Sequence, residues 1–115
     1  PTFNLRGPED YKQFETAFFK GFPDWHETIK DIIAEDDKVC VYFTGAGTHK
    51  GEWLGIAPTG KKIKFTAVQI WRLTNGKVVE KNSISDLTDT FKQLGAIEYT
   101  EKAKQILSAF NMPTE

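Results

Sequence analysis

The 115 residues carry 15 Lys and Arg against 16 Asp and Glu, a formal net charge of −1, so no electrostatic field steers the chain onto nucleic acid or an anionic membrane. Hydrophobic residues make up 39% and charged residues 27%, the composition of one ordinary globular domain, and no run approaches the ~18 apolar residues of a membrane span. A single cysteine, Cys40, excludes an intrachain disulfide and fits a reducing, cytoplasmic compartment, and no signal-peptide pattern opens the chain.

Residues 1–10 read as a loop in which Pro8 stands where a helix can begin, followed by Glu9 and Asp10 at its positive end. Tyr11, Phe14, Ala17, Phe18 and Phe19 recur at helical spacing until Gly21 and Pro23 stop the helix. From Trp25 the period changes, and the β-branched run with Ile29, Ile32 and Ile33 predicts a strand ending at the turn Glu35-Asp36-Asp37. Val39 to Thr44 is the clearest strand, reaching Thr48 if no bulge intervenes. The glycines from Gly45 to Gly60 predict bulges, tight turns or close backbone approach. A long strand over 61–73 is joined by Asn75-Gly76, a strong hairpin signal, to another over 77–86. A short helix over 88–94 stops at Gly95, and Thr100 caps a last helix whose Ala103, Ile106, Leu107 and Phe110 share one face. The order helix, antiparallel strands, helix is that of an α+β domain.

Three segments carry a resemblance. They are Phe22-Pro23-Asp24-x-His26-x-x-Ile29 ending in Ile33-Ala34-Glu35-Asp36-Asp37, Gly47-Thr48-His49-x-Gly51 with Gly55-Ile56-x-Pro58-Thr59-Gly60, and Gly76-Lys77-x-Val79-Glu80 through Asp86 to Gln93-Leu94-Gly95. In order and spacing they resemble the SnoaL-like polyketide cyclase family of the nuclear-transport-factor-two-like superfamily, over about residues 6–95 of a single domain, 1–115. The resemblance implies a cone-shaped barrel, a curved antiparallel sheet whose apolar pocket is covered by helices. It implies a homodimer and cofactor-independent chemistry on a small apolar, carbonyl-bearing molecule, such as an aldol ring closure with a pocket aspartate as acid/base. The family's usual first helix would lie before the region matching Arg6, so either residues preceding Pro1 supply it, or the C-terminal helical extension of residues 96–115, around Glu101–Phe110, covers the cone in its place. Where the family often reads Glu-His-Trp, this chain has Glu80-Lys81-Asn82. A non-catalytic ligand-binding or dimerisation module of the same fold is the alternative.

Asp86 matches the family aspartate and is the first candidate acid/base. It shares strand alternation with Glu80, Asn82 and Ile84, but also stands where it would cap the next helix. His49 could polarise a carbonyl, or could pin the glycine-rich turn by a hydrogen bond. Gln69 alternates with Phe65 and Trp71 and is a candidate to bind a carbonyl or a water inside the cone. His26 would line the mouth of the pocket or cap the end of the first helix, and Asn82 is a further candidate for substrate contact. Phe43, Phe65, Trp71 and Trp53 would wall the pocket, or simply form core. Two histidines without neighbouring ligands at metal spacing make no metal site, and no phosphate-binding glycine motif is present.

Overall fold

A computed structural model of the chain describes residues 7–112; of the loop read over residues 1–10, residues 1–6 lie outside the described residues and 7–10 already belong to a helix. Helix α1 spans Gly7–Gly21, with Glu9 and Asp10 in its first turn and Lys20 in its last, both signs suited to the helix dipole. Four strands follow: β1 (His26–Glu35), β2 (Lys38–Thr48), β3 (Lys62–Thr74) and β4 (Lys77–Ser85). Two helices close the order, α2 (Leu87–Gln93) and α3 (Glu101–Ala109). The architecture is α+β: three helices and an antiparallel sheet of order β1-β2-β3-β4. The sheet is open with β1 and β4 as edges, so pairing among the described strands does not close a cone.

Local chemistry explains the turns. Asn75 and Gly76 both take left-handed backbone, φ 52° and 76°, as a two-residue hairpin with the sheet's own twist requires. The glycines of 45–47 continue β2 to Thr48 without a register shift against β3; the irregularities fall instead at Ile29/Asp31 and Arg72/Leu73. What Gly45 provides is room. A Cβ there would run into the Trp25 ring and come within 2.8 Å of Phe65 Cε1.

Register sets the faces, because residues opposite each other in an antiparallel ladder share a side. The inner face carries the rows Ala34–Val39–Trp71–Lys81, Ile32–Val41–Gln69–Ser83, Ile29–Phe43–Ala67–Ser85 and Glu27–Gly45–Phe65. Its far end is filled. Phe22, Trp53, Ile63 and Leu94 form one buried cluster, with Phe18, Trp25 and Phe91 packed on it, and Val41, Phe43 and Ala67 form a second. Trp25 stacks on Phe65 at 5.0 Å and joins the two. At the β1 side the same face is open, with Ile29 59% and Ile32 53% exposed.

Helix α2 continues the line of β4 beside β3. The Gln93 amide replaces the missing strand there: its Oε1 accepts from Lys64 N–H at 2.8 Å and its Nε2 donates to Lys64 O at 2.7 Å. Helix α3 is capped by Thr100, whose Oγ1 accepts from Ala103 N–H at 3.1 Å. None of its residues is buried, and Ile106 and Phe110 face solvent, so among the described residues it does not cover the sheet as the extension was expected to do.

Candidate functional site

The inner face brings together Phe43, Phe65, Gln69 and Trp71, as strand alternation predicts. Phe43 is core, and Trp53, 2% exposed, is core rather than pocket wall. Gln69 is held by its neighbour two residues on: Trp71 Nε1 donates to Gln69 Oε1 at 2.9 Å. Asn82 is not on this face. It pairs with Ile70 on the outer side and donates to Glu80 Oε1 at 3.1 Å, because the bulge at Arg72/Leu73 sets which alternate residues of β4 turn inward.

His49 follows β2 and is fully buried, its ring stacked on Phe22 at 5.3 Å. Thr59 N–H donates to Nδ1 at 3.2 Å. The Thr59 hydroxyl accepts from Lys61 N–H, which leaves its own proton for Nδ1 at 3.0 Å. Two donors on Nδ1 assign the proton of the neutral ring to Nε2, and Nε2 has no partner among the described residues. The backbone of His49 is also tied into the loop, through Lys61 O and Gly60 N–H. This is the geometry of a residue that pins the loop over 50–60.

Asp86 sits one residue beyond β4 and caps α2, its Oδ1 accepting from Asp89 N–H at 3.0 Å. It is exposed, and it lines a half-open cavity of about 590 Å³ with His26, Thr28, Thr44, Lys64, Asp89 and Gln93. The cavity also touches Phe65, so three of the residues singled out in the sequence meet there: Asp86, His26 and Phe65. Its floor is the outer face, in the rows His26–Ala46–Lys64 and Thr28–Thr44–Thr66. The lining is therefore mixed, with threonine, lysine and carboxylate side chains among it, not the wholly apolar wall that the resemblance implies. The field of this acidic corner reaches Tyr99: lost hydration, with the charges of Asp89 and Asp86, holds its phenol above its ordinary pKa of 10.0. Among the described residues no three His, Cys, Asp or Glu side chains are grouped as a metal would require.

The family model of the SnoaL-like polyketide cyclases matches residues 1–94. The chain belongs to the SnoaL-like polyketide cyclase family. Aklanonic acid methyl ester cyclase AcmA of Streptomyces galilaeus is 28% identical over 94 residues, covering 80% of this chain and 65% of that protein, so the chain spans less than two thirds of this relative's length. Among solved structures, AclR of Streptomyces galilaeus, described as a candidate hydroxylase, is 32% identical with a TM-score of 0.75, covering 80% of this chain and 69% of that one. IdmH of Streptomyces antibioticus, described as a candidate polyketide cyclase, is 32% identical with a TM-score of 0.69, over 78% and 65%. TsrD of Streptomyces laurentii is 26% identical with a TM-score of 0.76, over 84% and 73%.

Within this SnoaL-like frame the structure adds residues that sequence reading passed over. Asp24 clamps the end of β2: Thr48 N–H and the Thr48 hydroxyl both donate to its carboxylate at 2.7 Å, and these bonds hold its pKa below the ordinary 3.8. Gln93 joins α2 to β3 and donates to Asp89 Oδ2 at 2.7 Å, fixing the acidic corner beside Asp86. Lys81 turns to the inner face, its Nζ 5.3 Å from the Tyr11 ring centroid and 5.8 Å from that of Trp71. The signal for Lys81 was its alternation with Ser83 and Ser85, which a reading centred on Ile84 assigns to the opposite side.

Proposed function

We propose that this SnoaL-like chain performs cofactor-independent acid/base chemistry on a small carbonyl-bearing molecule, with Asp86 moving the proton. The observation that carries the reading is that Asp86 lines a ligand-sized cavity together with His26, while its Oδ1 accepts the helix-cap bond. The threonine and lysine lining favours an oxygen-rich substrate over a hydrocarbon-like one. In an aldol ring closure, Asp86 would take a proton from the carbon next to a carbonyl, leaving an enolate. Lys64 or His26 would hold the enolate oxygen, the enolate carbon would bond to a second carbonyl carbon of the same molecule, and the carboxylic acid would return its proton to the new alkoxide.

Asparagine caps a helix about as well as aspartate but cannot act as this base. Asp86→Asn should keep the melting temperature while slowing deuterium exchange at the α-carbon of a 1,3-dicarbonyl probe by about 100-fold or more. Unchanged exchange in this variant would remove Asp86 from the chemistry.

A homodimer belongs to the same proposal. Next to the cavity, the outer face presents the row Tyr42–Val68–Ile84 and then Ile70, all exposed. An apolar face of that kind, between the threonine row and the charged row Lys38–Arg72–Glu80, suits a second copy, which would also wall the half-open cavity and exclude water from Asp86. Sedimentation should show a dimer that Ile70→Glu converts to monomer; wild-type protein that stays monomeric at high concentration would refute it.

A further inference from the structure

We propose, resting on the acid/base reading of the Asp86 cavity, that its substrate is an oxo acid: a carbonyl compound whose carboxylate pairs with Lys64 while its carbonyl end lies toward Asp86. Besides His26, the charged side chains on the cavity lining are Lys30, Lys64, Asp86 and Asp89. Both aspartates have partners inside the protein: Asp86 Oδ1 accepts from Asp89 N–H, and Asp89 Oδ2 accepts from Gln93 Nε2. The ion pairs among the described residues are Arg72–Glu80 and Lys104–Glu101, so neither lysine is neutralised by a carboxylate of its own cavity. A cation left unpaired on the wall of a ligand-sized cavity is the place for a ligand's anion.

Of the two lysines, Lys64 is the one held in place. Its N–H donates to Gln93 Oε1 at 2.8 Å and its carbonyl accepts from Gln93 Nε2 at 2.7 Å, so both backbone groups are fixed against α2. Lys30 falls instead at the irregularity between Ile29 and Asp31, on the free edge of the sheet, and lacks this anchorage. The neighbours of Lys64 in its row are Ala46 and His26. Ala46 carries only a methyl group, so between Lys64 and His26 the surface has a step two strand spacings wide, about 10 Å, in which a carboxylate fits beside the ammonium.

Asp86 sets the direction of the ligand. Ser85 pairs with Ala67, which places Asp86 beside Thr66, two residues along and one strand across from Lys64. At the usual sheet spacings that is about 8 Å between backbones. The Asp86 charge repels a carboxylate from its own end, and Thr28, Thr44 and Thr66 line the floor with hydroxyls. The ligand therefore carries its carboxylate on a short arm, about two or three carbons from the acidic carbon. Lys64 is then taken, which leaves His26 for the enolate oxygen. With two aspartates on the lining, a singly charged carboxylate is favoured over a phosphate dianion, and a neutral ester offers Lys64 no charge to meet.

The test compares 4-acetyl-5-oxohexanoate with its ethyl ester, which share one 1,3-dicarbonyl carbon and differ in the charge at the end of the arm. In deuterium exchange at that carbon, wild-type kcat/KM should favour the acid by about three- to tenfold, through KM, and the preference should shrink as salt is raised to about 0.5 M. Lys64→Gln keeps both Gln93 bonds, which are to backbone, and should bring acid and ester to within about twofold; Lys64→Arg should keep the preference. Equal kcat/KM for acid and ester in the wild type, or a preference that survives Lys64→Gln, would overturn the proposal. If neither probe exchanges, the acid/base reading falls and an NMR titration decides the carboxylate site alone. The acid should then bind more tightly than the ester and shift the Lys64 amide and the Gln93 side-chain amide, and equal affinities would refute it.

Discussion

Gly45→Ala tests the packing on which both faces depend. The new methyl would enter the space of the Trp25 ring and lie 2.8 Å from Phe65 Cε1, closer than carbon atoms tolerate. Trp25 is only partly buried, so the ring can give way, and its stack on Phe65 at 5.0 Å and edge contact with Phe18 at 4.8 Å would go with it. Overpacking a filled core commonly costs about 1–3 kcal/mol, and each aromatic pair adds about 0.5–1.5 kcal/mol beyond its buried area. Losing two pairs places the expected cost at about 2–4 kcal/mol, which lowers the melting temperature of a domain this size by roughly 10–20 °C. Urea unfolding of Gly45→Ala, Trp25→Ala and the double variant measures it. With the indole gone, the methyl should cost under about 1 kcal/mol, so the two changes should couple strongly. Additive effects of Gly45→Ala and Trp25→Ala would refute the account, because Trp25 would then not be what Gly45 makes room for.

Three other outcomes follow from the geometry. Leu54 holds φ 52° in a turn and is half exposed, so Leu54→Asn, which tolerates that backbone, should raise stability by about 0.5–1 kcal/mol in urea unfolding. Gln93→Ala removes both bonds to the Lys64 backbone, and should cost about 1–3 kcal/mol while the Lys64 amide loses hydrogen-exchange protection. Asp24 and Glu80 both have carboxyl pKa values below their ordinary 3.8 and 4.5, so each contributes stability above those values that is lost as pH falls through the depressed ones. Acid unfolding followed by Trp fluorescence should therefore steepen below about pH 4, and Asp24→Asn should flatten that limb; an unchanged limb would show that the Thr48 clamp contributes nothing.

Local signals were legible where one residue decides the outcome. Pro8 and Gly21 bracket α1, Asn75-Gly76 makes its hairpin, and Asp86 and Thr100 cap the helices they precede. The inward set of β3, with Phe65, Gln69 and Trp71, was legible because its apolar residues alternate cleanly. β4 was not, because Val78, Val79 and Ile84 straddle both phases while Lys81, Ser83 and Ser85 hold the inward positions. Nothing local to β4 marks the bulge that sets this phase; it lies where Leu73 meets Val78 across the hairpin. β1 is obscured in the same way, since the irregularity between Ile29 and Asp31 puts Ile29 and Ile32 on one side and Ile33 on the other. The candidate site inherits these limits. Asp86 could be placed at a strand end, but its cavity depends on His26, Thr44 and Lys64 coming together from three strands.

The ten residues of β1 are all exposed, and its outer edge has no neighbour in the sheet. A long free edge offers unpaired N–H and C=O groups to any other extended chain, and so invites filament growth. Here the kink at Lys30 breaks the repeat that such an addition would need, and Glu27, Asp31 and Glu35 place repelling charge along it. Colloidal behaviour, not fold or chemistry, is thus where a change at Lys30 or Asp31 would first be felt.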